Sequence, residues 1–168
     1  MRQTIRIFVR TVDTMNRVIG RFAMYLIFAI LGVLFYSIFS KTFADPAIWT
    51  LEVAQFLMVA YFLLGGAYSL QLDDHVRMDL FYSRWTPKTR AIVDLCTVGF
   101  LLFYLVFLLY GGISSVHYAL EYNETSYSAW SPRMAPIKII MCIGIAMMLL
   151  QVLAIFFKDL AAARGETL

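Results

Sequence analysis

The chain has 168 residues, of which 61% are apolar and 15% charged, with a mean hydropathy of +0.75. Those values lie outside the range of soluble domains and imply an integral membrane protein. The net charge of +3 is spread over the ends of apolar runs, so it describes membrane topology and excludes a nucleic-acid footprint.

In chain order, residues 4–21 come first. Ile5, Phe8, Val9, Val12, Met15 and Ile19 recur at three- and four-residue spacings, opposite Arg6, Arg10, Asp13, Arg17 and Arg21. This pattern predicts an amphipathic helix lying in the interface, with a basic face toward anionic membrane lipid. Four uncharged runs follow at 22–40, 53–72, 95–116 and 139–157. Each is long enough, at about 1.5 Å per residue, to cross an apolar core of about 30 Å as a helix. The first run starts too late and is too long for a cleaved signal segment, and is expected to remain as a crossing.

Lys and Arg fix the orientation. With the N-terminus inside, Arg2, Arg6, Arg10, Arg17, Arg21, Arg77, Arg84, Lys88, Arg90, Lys158 and Arg164 are internal, and only Lys41, Arg133 and Lys138 are external. Eleven against three places both termini in the cytoplasm. Cys96 and Cys142 then fall at opposite ends of a bundle, too far apart for a disulfide.

The first crossing carries Arg21, Tyr25, Gly32 and Tyr36 on one side, a face suited to helix packing. Asp45-Pro46 makes an outer turn before Trp49, an aromatic-belt position. The second crossing has the clearest pattern. Glu52, Gln55, Val59, Phe62, Gly66, Ser69 and Asp73 alternate at spacings of three and four, so a single stripe gathers most of what is polar or small and is expected to face protein. Its exit is ionic: Asp73, Asp74, His75, Arg77 and Asp79. Acids at a helix carboxyl end oppose the macrodipole, so they are expected to pair with Arg77, Lys88, Arg90 or a basic group of a partner. Met78, Phe81, Tyr82 and Trp85 share an apolar side there, predicting a short helix lying flat on the cytoplasmic surface. Thr86-Pro87 reads as an N-cap and a first-turn proline opening the third crossing.

In the third crossing, Gly99 and Gly111-Gly112 allow close approach. The outer loop after it holds His117, Tyr118, Glu121, Tyr122, Glu124, Tyr127, Trp130 and Arg133. In the fourth crossing Gln151 is the polar mark, on the side of Gly144, Met148, Ile155 and Lys158, and is expected to bond across to another helix. The fold class is thus all-α, a single membrane domain of four transmembrane helices with an N-terminal amphipathic helix and a flat cytoplasmic one.

Chemistry is conspicuously sparse. The two histidines fall on opposite sides of the membrane, which removes a bundle-haem ligand pair, and no phosphate-binding loop, dinucleotide fingerprint or zinc-protease motif is present. The crossings hold no Asp, Glu, Lys, Arg or His to relay protons and no interrupted helix to build a transport site. The sequence therefore predicts a non-enzymatic accessory or scaffold subunit. An independent small transporter or channel formed by oligomerisation is the alternative.

Trp49-Thr-Leu-Glu52, the helix ending Gly65-Gly66-Ala67-Tyr68, the run Asp74-His75-Val76-Arg77-Met78-Asp79-Leu80 and Thr86-Pro87-Lys88-Thr89-Arg90 resemble the small membrane subunit of tripartite ATP-independent periplasmic (TRAP) transporters. The resemblance covers roughly residues 17–158. It implies a multi-pass scaffold in the bacterial inner membrane, bracing a large subunit that carries the sodium sites and substrate path. This chain would hold no cofactor of its own, and a soluble periplasmic substrate-binding protein would be the third component. Ser126, Trp130-Ser131-Pro132, Pro136 and Gln151 are similar to a branch associated with organic acids. On this reading Glu52, Gln55, Gly66, Ser69, Asp73, Asp74, Arg77 and Asp79 anchor the large subunit, while Glu121, Glu124, Trp130 and Arg133 help dock the binding protein.

Overall fold

The computed structural model describes residues 2–43, 45–72 and 87–163. They form four α-helices: α1 (Arg2–Phe43), α2 (Thr50–Gln71), α3 (Pro87–Glu121) and α4 (Ala135–Ala163). All four contain a stretch long and apolar enough to cross a membrane. No strand is present among the described residues. The flat cytoplasmic helix and the acid–base pairing expected at 73–86 lie outside them.

The N-terminal segment differs from the sequence expectation. Residues 4–21 are not a separate element but the first half of one 42-residue helix that runs on through the first crossing. No proline separates the two halves, and a helix whose hydrogen bonds are already formed extends at little cost. The apolar side expected to rest on lipid instead packs against α4. Val9, Val12 and Ala154 form a buried cluster, with Ile5, Phe8, Leu150 and Phe157 around it, and Phe8 meets Phe157 edge-on at 6.3 Å between ring centroids.

α4 is the hub, packing on α1, α2 and α3. Its contacts are close because small residues permit them. A Cβ on Gly144 would lie 2.7 Å from Leu63 Cβ and 3.0 Å from the Leu63 carbonyl, so α2 and α4 cross backbone to side chain there. Gly66 likewise abuts Met148, and Gly112 abuts Cys142. Of each glycine pair, one member is used: Gly65 and Gly111 have open space where a Cβ would stand. α1 meets α2 at Gly20, which sits directly on Tyr68. The main apolar cluster, Leu105, Ile145 and Val152 with Leu63, Leu70 and Met148 around it, fills the space between α2, α3 and α4.

Polar contacts close both ends. Opposite the termini, Thr50 Oγ1 donates to Ser37 Oγ at 3.0 Å, and Ser40 Oγ donates to the Asp45 carbonyl at 2.5 Å. Tyr36 stacks on Trp49 with centroids 5.6 Å apart, which fixes the α1–α2 turn from outside.

Candidate functional site

At the end that carries both termini, α1 and α4 bring four polar side chains together. Lys158 Nζ donates to Asp13 Oδ2 at 2.7 Å. Gln151 Nε2 donates to Asp13 Oδ1 at 3.1 Å, and Asn16 Nδ2 donates to Gln151 Oε1 at 2.6 Å. The chain of donors runs one way, from Asn16 and Lys158 toward the Asp13 carboxylate, which fixes the orientation of both amides. Asn16 and Gln151 are wholly buried, so each bond replaces water that neither group can reach. Gln151 bonds across to another helix as its position predicted. The sequence pattern puts Asp13 on the basic face turned toward anionic lipid and does not join it to Lys158. The available signal was the pairing of i, i+3 polar residues on α1 with i, i+7 polar residues on α4.

At the opposite end, Glu52 is buried although it is an acid. It sits in the first turn of α2, where the helix dipole favours negative charge, and it accepts a hydrogen bond from Ser126 Oγ at 3.3 Å. Its second oxygen, Oε2, is enclosed without a partner among the described residues. The link ties the α3–α4 loop to α2. That loop is folded by its own backbone: Ser126 N donates to the Pro132 carbonyl and Met134 N to the Glu124 carbonyl, both at 2.9 Å, around an antiparallel bridge between Thr125 and Arg133. Asn123 and Ser131 turn the chain at φ 48° and 46°, the left-handed region that asparagine tolerates well.

The described residues of the α2 stripe do not form one seam inside this chain. Glu52 turns inward and Gly66 packs on Met148, while Gln55, Val59 and Phe62 are exposed and Ser69 is half-buried. Gln55 borders a groove of about 310 Å³ between α1 and α2, whose other walls include Ile27, Ile30, Leu34, Met58 and Phe62. Asp73, Asp74, Arg77 and Asp79 lie outside the described residues. In the loop set, Glu124 is bound by Lys138 and Glu121 faces His117 at 3.4 Å on the exposed surface. Trp130 and Arg133 are exposed, as is the whole of Tyr127.

Residues 30–162 match the model of the DctQ component of tripartite ATP-independent periplasmic transporters. The chain belongs to the DctQ family. No curated protein matches it. The DctQ match begins within α1 and ends at the last turns of α4, so it takes in all three close glycine crossings of α4 and the folded outer loop. DctQ is a transporter-component family, not an enzyme family, and its members are inner-membrane proteins. This chain is accordingly a small TRAP-transporter subunit of the inner membrane, as its sequence motifs suggested.

Proposed function

We propose that this DctQ chain is the fixed scaffold of a sodium-coupled TRAP importer of an organic acid, with both termini in the cytoplasm. The large membrane subunit would carry the sodium ions and the substrate, and the periplasmic binding protein would deliver it. The observation that carries this reading is the exposed Gln55 in the α1–α2 groove. An amide exposed in an apolar groove of a crossing helix favours a neighbouring helix that offers a polar group. The groove is therefore assigned to the large subunit. Glu52 and Gly66 serve that contact indirectly, by holding α2 to the outer loop and to α4. Ser69 extends the same face toward the cytoplasm, and by its charge the sequence run Asp73, Asp74, Arg77 and Asp79 is assigned to the same anchoring role.

The binding protein is assigned to the outer loop, where Trp130 and Arg133 stand exposed on a loop stiffened by the Glu124–Lys138 pair. Glu121 flanks it. Two measurements test the proposal. The chain should co-purify with the large subunit, and reconstituted alone it should give no sodium- or proton-dependent flux. Flux from this chain alone would establish the independent transporter instead. Photo-cross-linkers at Trp130 and Arg133 should capture the binding protein; consistent failure there with capture elsewhere removes the loop from the docking surface.

A further inference from the structure

The arginines of α1 sit deeper than their sequence position suggests. Charge patterning alone sets the cytoplasmic edge of the first crossing at Arg21. Cross-helix contacts set another register. Asn16 bonds Gln151, in a segment of α4 that carries no charge before Lys158. Gly20 rests on Tyr68, four residues before Leu72, about 6 Å inside the end of the uncharged run of α2. Arg17 follows Asn16 and Arg21 follows Gly20. Both are exposed, beside segments of α2 and α4 that carry no charge.

Their neighbour Lys158 is neutralised by Asp13. Among the described residues no acid pairs with Arg17 or Arg21. Side chains on a helix lean toward its N-terminus, and the N-terminus of α1 lies at the charged end of the bundle, so both guanidinium groups extend toward the headgroup layer while their stems stay in the apolar zone. Their i, i+4 spacing brings them to neighbouring positions, about 6 Å apart. Two planar forks at that distance match the oxygens of one phosphate. One and two turns further into the membrane, Tyr25 and Phe28 are exposed on the same side and offer an apolar track.

We propose that Arg17 and Arg21 form a binding site for the phosphodiester headgroup of an anionic phospholipid, in the leaflet facing the two chain ends, with an acyl chain lying along Tyr25 and Phe28. An anionic lipid fits better than a zwitterionic one because two cations need net negative charge, and a zwitterion brings its own ammonium. The site does not depend on the scaffold role.

The full chain, released from nanodiscs containing equal parts phosphatidylglycerol and phosphatidylcholine, is read by native mass spectrometry. Phosphatidylglycerol should be retained over phosphatidylcholine by on the order of tenfold. The pair Arg17→Gln/Arg21→Gln should abolish the preference, and Arg17→Lys/Arg21→Lys should keep part of it. Lys41→Gln, at the far end of α1, should leave it intact. Inorganic phosphate in excess should not displace the lipid; displacement would assign the arginines to a free anion and overturn the lipid site. Equal retention of the two lipids, an unchanged preference in the Gln pair, or equal loss in Lys41→Gln would also overturn it. So would loss of the preference when the large subunit is bound, which would give the arginines an acidic protein partner.

Discussion

The crossings within α1 and α4 are similarly apolar and have opposite fates. A third of the most apolar window of α4 is buried (33%), against 11% for α1. Hydrophobicity does not make the difference, because lipid tails satisfy leucine as well as another helix does. Small and polar residues do. α4 sets Gly144 against α2 and Gln151 against α1, whereas Gly32 of α1 meets nothing and Tyr25, Phe28 and Phe35 stand outside. One helix is finished within this chain, and the other offers its surface to something else.

The sharpest break of that contrast is a pair of glycine substitutions. Gly144→Leu drives a side chain into the Leu63 backbone, where neither partner can give way, and should destabilise the bundle by about 3 kcal/mol. Gly32→Leu should change stability by less than about 0.5 kcal/mol. Unfolding midpoints in one detergent compare the two; equal losses would mean that α1 is packed as closely as α4.

Next in size is the link between the helices. Gln151→Leu strands the Asn16 amide and removes one donor from Asp13, at a cost of about 1–2 kcal/mol. Adding Asn16→Leu should recover part of the loss, since it removes the stranded amide and leaves only the donor missing from Asp13. A double-mutant cycle that returns simple additivity would show the two amides to be uncoupled. A smaller effect is expected at the other end. Ser126→Ala removes the donor to Glu52 and should cost about 0.5–1 kcal/mol, seen as faster amide exchange in residues 122–134 with the helices unaffected.

How much of this was legible in the sequence follows from the same physics. The crossings were legible because length and lack of charge suffice to define them, and Pro87 does open α3. Gln151 was legible because an amide in an apolar run needs a partner. Its partners were not, since Asp13 and Asn16 lie 138 and 135 residues away and a polar residue on an amphipathic face looks the same whether water or α4 satisfies it. The α2 stripe was legible as a set but not level by level, because helical spacing gathers residues on one side without saying which neighbour covers each level. Glu52 and Gly66 found partners inside the chain, and Gln55 did not.

Gln55 therefore supplies the finest test, one that leaves the isolated chain almost untouched. Exposed on α2, it makes no contact that holds the bundle, so Gln55→Leu should shift the unfolding midpoint of the lone subunit within about 0.5 kcal/mol. Against the large subunit the same substitution removes an interhelical hydrogen bond worth about 0.6 kcal/mol on average in a bilayer, so co-purification should fall about threefold, since 1.4 kcal/mol is a factor of ten. Gln55→Glu should reduce it further, because a carboxylate enters the groove only with a cation to meet it. If recovery of the complex is indifferent to both while Gly32→Leu reduces it, the large subunit sits on the aromatic outer face of α1 and the groove is left to lipid.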